Sequence, residues 1–359
     1  MRDLKYLFAY SIPLSTFFSI YFQDIWAYSS VFYAFVIIPL LEFWLKQSNT
    51  VYSDQEKEDR IKKKLFKHQI KKKLFDLMLY LNVPIVFGLL GYGLVTLHQD
   101  ALWTYERIGM LSSLGILLAT NGINVAHELG HRSSRFERTL SKLLYMPCLY
   151  MHFFLEHNYG HHKHMATPDD PATARYNQPL YSFWISSVIN QYKNAWNIQF
   201  DFLAKKHKSF FSFDNDMLFY LLFQGLYLGL IFAYLGTDGL LVGLIVGISS
   251  FLFLETINYI EHYGLRRVLL PSGKYERITA LHSWNSNHIM GRIVLYELTR
   301  HSDHHFKSNK KYQVLEHKEE SPQLPFGYPA AMLLALVPPM WFRVMNGRIP
   351  AQMLPEGSV

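Results

Sequence analysis

Six stretches of the sequence are apolar over about the length that an α-helix needs to cross a membrane. Roughly 20 apolar residues span the hydrocarbon core, and a helix satisfies its own backbone hydrogen bonds there. The stretches are residues 7–22, 26–44, 77–97, 108–125, 217–235 and 240–260. The sequence therefore predicts an all-α integral membrane protein with six transmembrane helices.

Two further apolar features need separate interpretation. Pro13 interrupts the first stretch, but no small-residue cleavage site follows it, so we expect a retained span and not a signal sequence. A seventh apolar run, residues 326–342, contains Pro329, Pro338 and Pro339. These prolines break it too often for a spanning helix, so an interfacial or re-entrant segment is expected.

Basic residues predict which side of the membrane each loop faces. Residues 45–75 and residues 131–216 each contain ten Lys or Arg, and the tail after His262 contains twelve. The connections near Asp24, Gln99 and Thr237 contain none unless Arg107 is counted. Cytoplasmic loops carry the excess of positive charge, so both termini and every long loop are expected in the cytoplasm.

This pattern predicts one membrane-embedded catalytic domain over residues 1–359. It has a basic cytoplasmic loop (46–75) and a metal-binding loop and tail on the same side (131–216 and 262–359). The net charge of +7 then belongs to the cytoplasmic surface, where it attracts anionic membrane lipid. A docking surface for an acidic soluble partner is compatible with this, and nucleic acid is not needed to explain the charge.

The single cysteine, Cys148, restricts the chemistry. A disulfide scaffold, a cysteine-ligated zinc ribbon and a built-in rubredoxin or iron–sulfur module all need several thiolates. Any metal bound by this chain is therefore held by nitrogen or oxygen. The 17 histidines supply nitrogen.

Nine of these histidines lie in four clusters at or beyond the predicted cytoplasmic helix ends. HELGH places two at i and i+4 on one helical face, EHNYGHH repeats this spacing and adds a third, NYIEHYG contributes one, and RHSDHH contributes three. They are His127, His131, His157, His161, His162, His262, His301, His304 and His305. Nine imidazoles exceed the needs of one zinc ion and fit two metals with four or five each. Imidazole suits iron, copper, zinc and nickel, so the ligand type alone does not choose among them.

Acidic residues accompany the clusters. Glu255 lies within the sixth apolar stretch, seven residues before His262 and on the same helical face, so an ionisable group at this depth is a functional hypothesis. Four others flank predicted ligands, and we expect some of them to orient imidazoles through the second ring nitrogen. They are Glu128, Glu156, Glu261 and Asp303.

The four motifs, with ATPDDPA after the second and HSWNSNH before the fourth, resemble those of the membrane-bound alkane monooxygenase (alkane hydroxylase) family. This family is related to the membrane fatty-acid desaturases. The resemblance runs from about residue 121 to 325. It implies that the nine histidines bind two non-haem irons, which use O2 to hydroxylate the terminal methyl of an alkane in the bacterial inner membrane. Glu261 resembles the alkane version of its motif, whereas xylene-type relatives are more like glutamine there.

The resemblance also implies an electron donor, a rubredoxin supplied by a rubredoxin reductase. Some relatives carry a fused C-terminal rubredoxin, which needs cysteines that this chain lacks. A separate rubredoxin is therefore expected.

An alkane offers no hydrogen-bonding group, so its affinity comes from apolar burial at roughly 0.8 kcal/mol per methylene. The spans are then expected to form a tunnel that is entered from the bilayer and closed by the metals. Ala34 is the smallest side chain between Phe32 and Phe35 and lies about eight residues, or 12 Å, before the helix end near Glu42. It is predicted to lie on the tunnel wall, although close helix packing also explains a small residue.

Other functions remain open at this point. HELGH also satisfies the HExxH pattern of a zinc protease with Glu128 as general base, but this leaves seven histidines unexplained. A desaturase, another lipid hydroxylase or a xylene-type methyl hydroxylase would use a similar site. A metal transporter would place its ligands near the middle of the membrane. His282 and His288 are reserve ligand candidates.

Overall fold

The computed structural model describes residues 2–45, 65–99 and 101–354. Within these ranges the regular structure is helical, with two isolated β-bridges and no strands, which confirms the all-α prediction. Residues 46–64 of the predicted basic loop lie outside the described ranges.

The N-terminal half consists of short and long helices joined by 3-10 and π segments. A 3-10 helix, Arg2–Tyr10, runs into α1. The helices are α1 (Ser11–Phe22), α2 (Ser29–Phe32), α3 (Ile38–Trp44), α4 (Leu65–Tyr80), α5 (Asn82–Gln99), α6 (Thr104–Leu117), α7 (Asn124–Gly130), α8 (Arg135–Tyr145), α9 (Phe153–Glu156) and α10 (His162–His164). Three π turns, Tyr33–Ile37, Leu118–Ile123 and His157–His161, join α2 to α3, α6 to α7 and α9 to α10.

The C-terminal half contains the longest helices and a compact tail. The helices are α11 (Leu180–Lys205), α12 (Asp216–His262), α13 (Ile289–Val294), α14 (His301–Phe306), α15 (Tyr328–Ala335) and α16 (Pro338–Met345). As expected from its prolines, the apolar run 326–342 forms two short helices with a break at residues 336–337. Pro329, Pro338 and Pro339 stand at the helix starts, where proline is tolerated.

Four helical stretches in the described ranges are long and apolar enough to cross a membrane, judged by length and composition: Asp24–Trp44, Lys73–Gln99, Thr104–Gly130 and Asp216–His262. The first three correspond to the second, third and fourth predicted spans. The first predicted span forms the 3-10 helix and α1. Their nine and twelve residues extend about 36 Å at 2.0 and 1.5 Å per residue.

The fourth long stretch, α12, folds back on itself. Gly236 has φ 62° and ψ −159°, a backbone conformation that glycine adopts without a Cβ clash. A Cβ atom on Gly243 would lie 3.0 Å from the Ile231 side chain, although twelve residues of straight helix would separate them by about 18 Å. Residues 216–235 and 237–262 are therefore antiparallel helices, which correspond to the fifth and sixth predicted spans.

The buried centre of the bundle is Thr104–Gly130, which is enclosed over most of its length, whereas Asp24–Trp44 exposes much of its apolar surface. The enclosed helix ends in the HELGH motif. The first histidine cluster thus lies at one end of the most protected helix in the bundle.

Candidate metal centre

Nine histidine side chains converge at one end of the bundle, and they are the nine that the sequence motifs contain. The first two come from the end of α7, the next three from the π turn after α9 and from α10, one from the last residue of α12, and three from α14. The structure divides them into two sets whose nitrogens lie within 4.8 Å of one another. The five-histidine group is His127, His131, His157, His162 and His304, and the four-histidine group is His161, His262, His301 and His305.

In the five-histidine group, ring nitrogens point at one another from three chain segments. The Nε2 atoms of His127 and His157 are 2.7 Å apart, and the Nε2 of His131 lies 3.2 Å from both. The Nε2 of His162 is 3.1 Å from that of His157. The His304 ring lies 4.7 Å from His127, measured between ring centroids.

The four-histidine group has the same construction. The Nε2 atoms of His301 and His305 are 2.8 Å apart, as expected for an i, i+4 pair on one helix face. Nε2 of His262 lies 3.1 Å from that of His301, and Nε2 of His161 lies 3.2 Å from that of His305. All four side chains are buried.

These distances fit a metal ion and do not fit a hydrogen-bond network. A neutral imidazole carries one N–H, so three or more converging nitrogens cannot all be paired with one another. Nitrogens bound at about 2.0–2.1 Å to a common cation are separated from their neighbours by about 2.9–3.4 Å. The observed separations of 2.7–3.2 Å lie close to this range. The residues present thus fit a metal bound in each group.

The protonation states also suit metal binding. Burial, reinforced by the neighbouring imidazoles, holds the pKa of His131, His157, His162, His301 and His305 well below the ordinary value. Burial lowers the pKa of His304 to about 3. These rings are therefore neutral near pH 7 and offer a free lone pair, which is the form that binds a metal.

The π turn at His157–His161 decides which histidine belongs to which group. Although His157 and His161 have the same i, i+4 spacing as the HELGH pair, they fall into different groups. The wider turn directs His157 toward His162 instead. The adjacent residues His161 and His162 belong to different groups.

Asp170 contacts a histidine of the four-histidine group, although no spacing rule in the sequence identifies it. Its buried Oδ2 accepts a hydrogen bond of 2.9 Å from Nδ1 of His161, and it also accepts from the Thr173 hydroxyl. Burial alone would lower the pKa of His161, but the Asp170 carboxylate outweighs it and raises this pKa. The bond fixes the ring so that Nε2 faces the group. The available signal was the pair of aspartates in ATPDDPA.

Of the four predicted acidic site residues, Glu261 alone contacts a histidine of the groups. Its Oε2 lies 3.2 Å from Nε2 of His301, and its Oε1 accepts a bond of 2.6 Å from the Tyr328 hydroxyl. Glu261 therefore lies beside Nε2 of His301, the nitrogen that faces the group. The expected orienting role would place it beside the second ring nitrogen, Nδ1.

Glu128 and Asp303 bond to other partners. Glu128 accepts from the Arg132 guanidinium and from the backbone N–H of Tyr312. Asp303 accepts from Lys310 and from the backbone N–H of Glu316. Both stabilise the segments that carry ligand histidines, and the structure does not place either of them against an imidazole. Glu156 likewise accepts from Asn194.

Glu255 is fully buried and its carboxylate joins three segments of the fold. It accepts from the Tyr150 hydroxyl at 2.9 Å, from the Ser187 hydroxyl at 2.6 Å and from the Gln191 amide at 2.9 Å. None of the nine histidines is among these partners. The contacts favour a structural role, because they anchor α11 to α12.

We expect the Glu255→Gln variant to retain its metal and its turnover per folded molecule but to lose about 1–3 kcal/mol of stability, because the amide supplies donors where donors already point in. Ser187→Ala, which removes one donor and keeps the carboxylate, is the matched comparison. Thermal unfolding, metal analysis and turnover are measured together. A slow enzyme of unchanged stability would restore the functional interpretation of Glu255.

The reserve candidates lie outside both groups. His282 bonds to the backbone N–H of Thr279 and to Glu276, and His288 bonds to Ser286. Their ring nitrogens thus have other partners, and the four motifs alone supply the two groups.

An apolar cavity of about 60 Å³ lies between the N-terminal helices and the C-terminal part of the fold. Ala34 and Ile38 line one side, and Ile116, Phe253 and Tyr328 line others. The Tyr328 hydroxyl bonds to Glu261 and Glu261 lies beside His301, so two side chains connect the cavity to the four-histidine group. Such a space accommodates part of an alkyl chain.

The fatty acid desaturase family model matches residues 103–332. Alkane 1-monooxygenase 2 of Alcanivorax borkumensis is 36% identical over 92% of this chain and 84% of its own length. The alkane 1-monooxygenase of Acinetobacter baylyi is 43% identical over 66% of this chain and 59% of its own. The xylene/toluene monooxygenase hydroxylase component of Pseudomonas putida is 30% identical over 75% of this chain and 72% of its own.

Proposed function

Since the chain belongs to the alkane 1-monooxygenases, a family of oxidoreductases within the wider fatty acid desaturase family, we propose that it hydroxylates the terminal methyl group of alkanes. The proposed reaction uses O2 and two electrons from a separate rubredoxin. The observation that carries the proposal is the pair of buried histidine groups together with an apolar cavity that Tyr328 and Glu261 connect to one of them. A hydrolase or a simple metal store requires neither two such groups nor the cavity.

The nine histidines are proposed to hold two non-haem iron ions, one in each group. Bound iron would supply the redox chemistry that activates O2, which redox-silent zinc lacks. The chain's own contribution is positioning and exclusion of water. Asp170 fixes the His161 ring, Tyr328 fixes the Glu261 carboxylate, and the apolar wall with Ala34 leads a methyl group toward them.

The membrane placement that we propose is six spans in the bacterial inner membrane, with both termini and the metal centre on the cytoplasmic side. Its support is the four long apolar stretches, one of which is a hairpin, and the distribution of basic residues. In this placement an alkane dissolved in the bilayer reaches the cavity between helices without crossing water.

The test is gas chromatography of membranes that contain the protein, supplied with alkanes of graded length, O2, rubredoxin and rubredoxin reductase. We expect 1-alkanols as products. Fatty-acid products with no alkanol would identify a desaturase or lipid hydroxylase, and methyl oxidation of xylene alone would identify a relative of the xylene/toluene enzyme.

The electron donor is proposed to dock where the centre approaches the surface. His131 and His162 are the two partly exposed members of the groups. Three exposed cations are close in the chain to histidines of the groups: Arg135 follows His131, Lys163 follows His162, and Lys307 follows His304 and His305. Other basic residues of the stretches 132–138 and 307–311 bond to neighbouring side chains: Arg132 to Glu128, Arg138 to Tyr159, Lys310 to Asp303 and Lys311 to Asp76. The three exposed cations therefore form the donor surface that we propose.

Reversing these charges, in the triple variant Arg135→Glu, Lys163→Glu and Lys307→Glu, is expected to slow rubredoxin-dependent turnover at least about tenfold at low salt, because the basic surface steers an acidic donor. The difference should shrink at high salt, as screening shortens the range of the field. Lys208→Glu, exposed at a distance from the centre in the chain, is the control. Equal rates at low salt would place the donor elsewhere.

A further inference from the structure

The 26-residue helix α11 has three distinct faces, although it lies in a region that the sequence analysis treated as a loop. One face is exposed and apolar, with side chains at intervals of three or four residues up to Tyr192 and a further one two turns later. It consists of Tyr181, Ile185, Ile189, Tyr192 and Phe200. The opposite face is buried and includes the Ser187 and Gln191 that bond to Glu255. The third face, between them, is polar and includes Asn190, Lys193 and Asn197.

This helix crosses α12 and does not run beside it. Trp184, Ser187 and Gln191 extend over about 10 Å of α11, yet their hydrogen-bond partners on α12 are Thr256 and Glu255, which are adjacent residues. These partners lie six and seven residues before the end of α12, about 10 Å from the metal-centre end. If α12 spans the membrane as proposed, α11 lies across that end at the level of the lipid headgroups, which is typical of an interfacial amphipathic helix.

The polar face of α11 forms one wall of a groove of about 1180 Å³. The segment 166–178 and the residues 264–269 that follow α12 form the other walls. The groove and the exposed apolar face therefore lie on neighbouring sides of α11. A molecule lying there would have one part in the groove and another against the apolar face.

Positive charge exceeds negative charge in this groove. Its lining includes Arg175, Lys193, Arg266 and Arg267 against Asp169 and Asp170. Asp170 is buried and already bonds to His161 and Thr173. Arg267 donates to three backbone carbonyls and so is held in the wall.

Arg175 and Lys193 are exposed, and among the described residues no ion pair is recorded for either of them. Three asparagines near them, Asn190, Asn194 and Asn197, add amide donors. The groove thus offers cationic and neutral donors to an anion at the headgroup level of the membrane.

We propose that this groove binds the phosphate headgroup of an anionic phospholipid, with its acyl chains against the apolar face of α11. Basic pockets beside membrane helices bind such headgroups through charge and hydrogen bonds. The apolar face favours a lipid over a soluble acidic protein, because the same helix supplies both the headgroup contacts and the chain contacts. The proposal rests on the proposed membrane placement, but it does not depend on the reaction catalysed.

A lipid bound in the groove would contact residues that support the histidine groups. Asp170 and Asn194 form part of the groove lining, and they bond to His161 and Glu156. A bound lipid would restrain the segment 166–178 that holds Asp170 against the four-histidine group. Lipid binding is therefore expected to raise the unfolding temperature of the protein.

The experiment titrates the metal-loaded protein, in neutral detergent, with dihexanoyl phosphatidylglycerol, dihexanoyl phosphatidylcholine or inorganic phosphate. Bound lipid is counted by native mass spectrometry, and the unfolding midpoint is measured. The double variant Arg175→Gln, Lys193→Gln is compared with Lys205→Gln, Lys208→Gln, which removes two exposed charges outside the groove lining. Metal content confirms that each variant is folded, and alkane turnover is recorded separately.

We expect phosphatidylglycerol to bind the wild type and the control equally, and the groove variant roughly tenfold or more weakly, since each cation contributes about 1 kcal/mol to such binding. Equal phosphatidylglycerol binding by all three proteins would overturn the proposal. Competition by inorganic phosphate at equal concentration would identify a free-anion site instead. A groove variant that binds lipid normally but loses affinity for rubredoxin would identify a docking surface. Loss of alkane turnover alone bears on the proposed function and not on this site.

Discussion

Replacing His161 by alanine is expected to remove one of two bound irons and to abolish alkane hydroxylation. His161 belongs to the group of four, so three imidazoles remain after the substitution. It is also the ring fixed by Asp170. A site with no spare nitrogen donor loses affinity when one ligand is removed, because water replaces a strong donor. Metal analysis of the purified variant should give about one iron per chain.

The comparison with His304→Ala makes this prediction specific. His304 belongs to the group of five, so four imidazoles remain. We expect this variant to keep part of its second iron and to release it more readily to a chelator than the wild type does. His282→Ala is the control, because His282 bonds to Thr279 and Glu276 outside both groups. An active preparation with one zinc and no iron would instead support the protease interpretation.

The long apolar stretches and the repeated histidine spacings can be predicted from the sequence, because each depends on local periodicity. The stretches 26–44, 77–97 and 108–125 coincide with long apolar helices, and Gly236 divides α12 where two predicted stretches meet. The i, i+4 histidines of HELGH lie in one group, as a regular helix requires. In these cases neighbouring residues alone determine the outcome.

Features that depend on tertiary contacts cannot be predicted from local sequence patterns. A π turn separates His157 from His161, and nothing in the spacing distinguishes it from an α-turn. Asp170 reaches His161 only because residues 165–173 fold back on α10. The sequence pattern does not predict the amphipathic helix α11, because polar residues interrupt its apolar face. Glu128 accepts from the backbone of Tyr312, which is distant in the sequence, and no local pattern predicts this contact.

Replacing Ala34 by tryptophan is expected to eliminate the longest accepted alkanes and to spare short ones. Ala34 lies in the π turn Tyr33–Ile37 and lines the apolar cavity together with Ile38, four residues later. A tryptophan side chain at this position would add an indole ring to the wall of this narrow space, so it would narrow the path that a long chain has to occupy. A short alkane needs less of this length, so its methyl would still reach the Tyr328 side, where the Tyr328 hydroxyl bonds to Glu261 and Glu261 lies beside His301.

The matched control for this substitution is Val36→Trp, on the same helix but with an exposed side chain. It adds the same bulk toward the surrounding lipid and should leave the product profile unchanged. Gas chromatography of 1-alkanols from a graded series of alkanes measures both variants, normalised to iron content. A uniform fall across all chain lengths in Ala34→Trp would mean that the alanine serves helix packing. A selective loss of the longest products, with short products retained, would place Ala34 on the substrate path, since each excluded methylene forfeits burial worth roughly 0.8 kcal/mol.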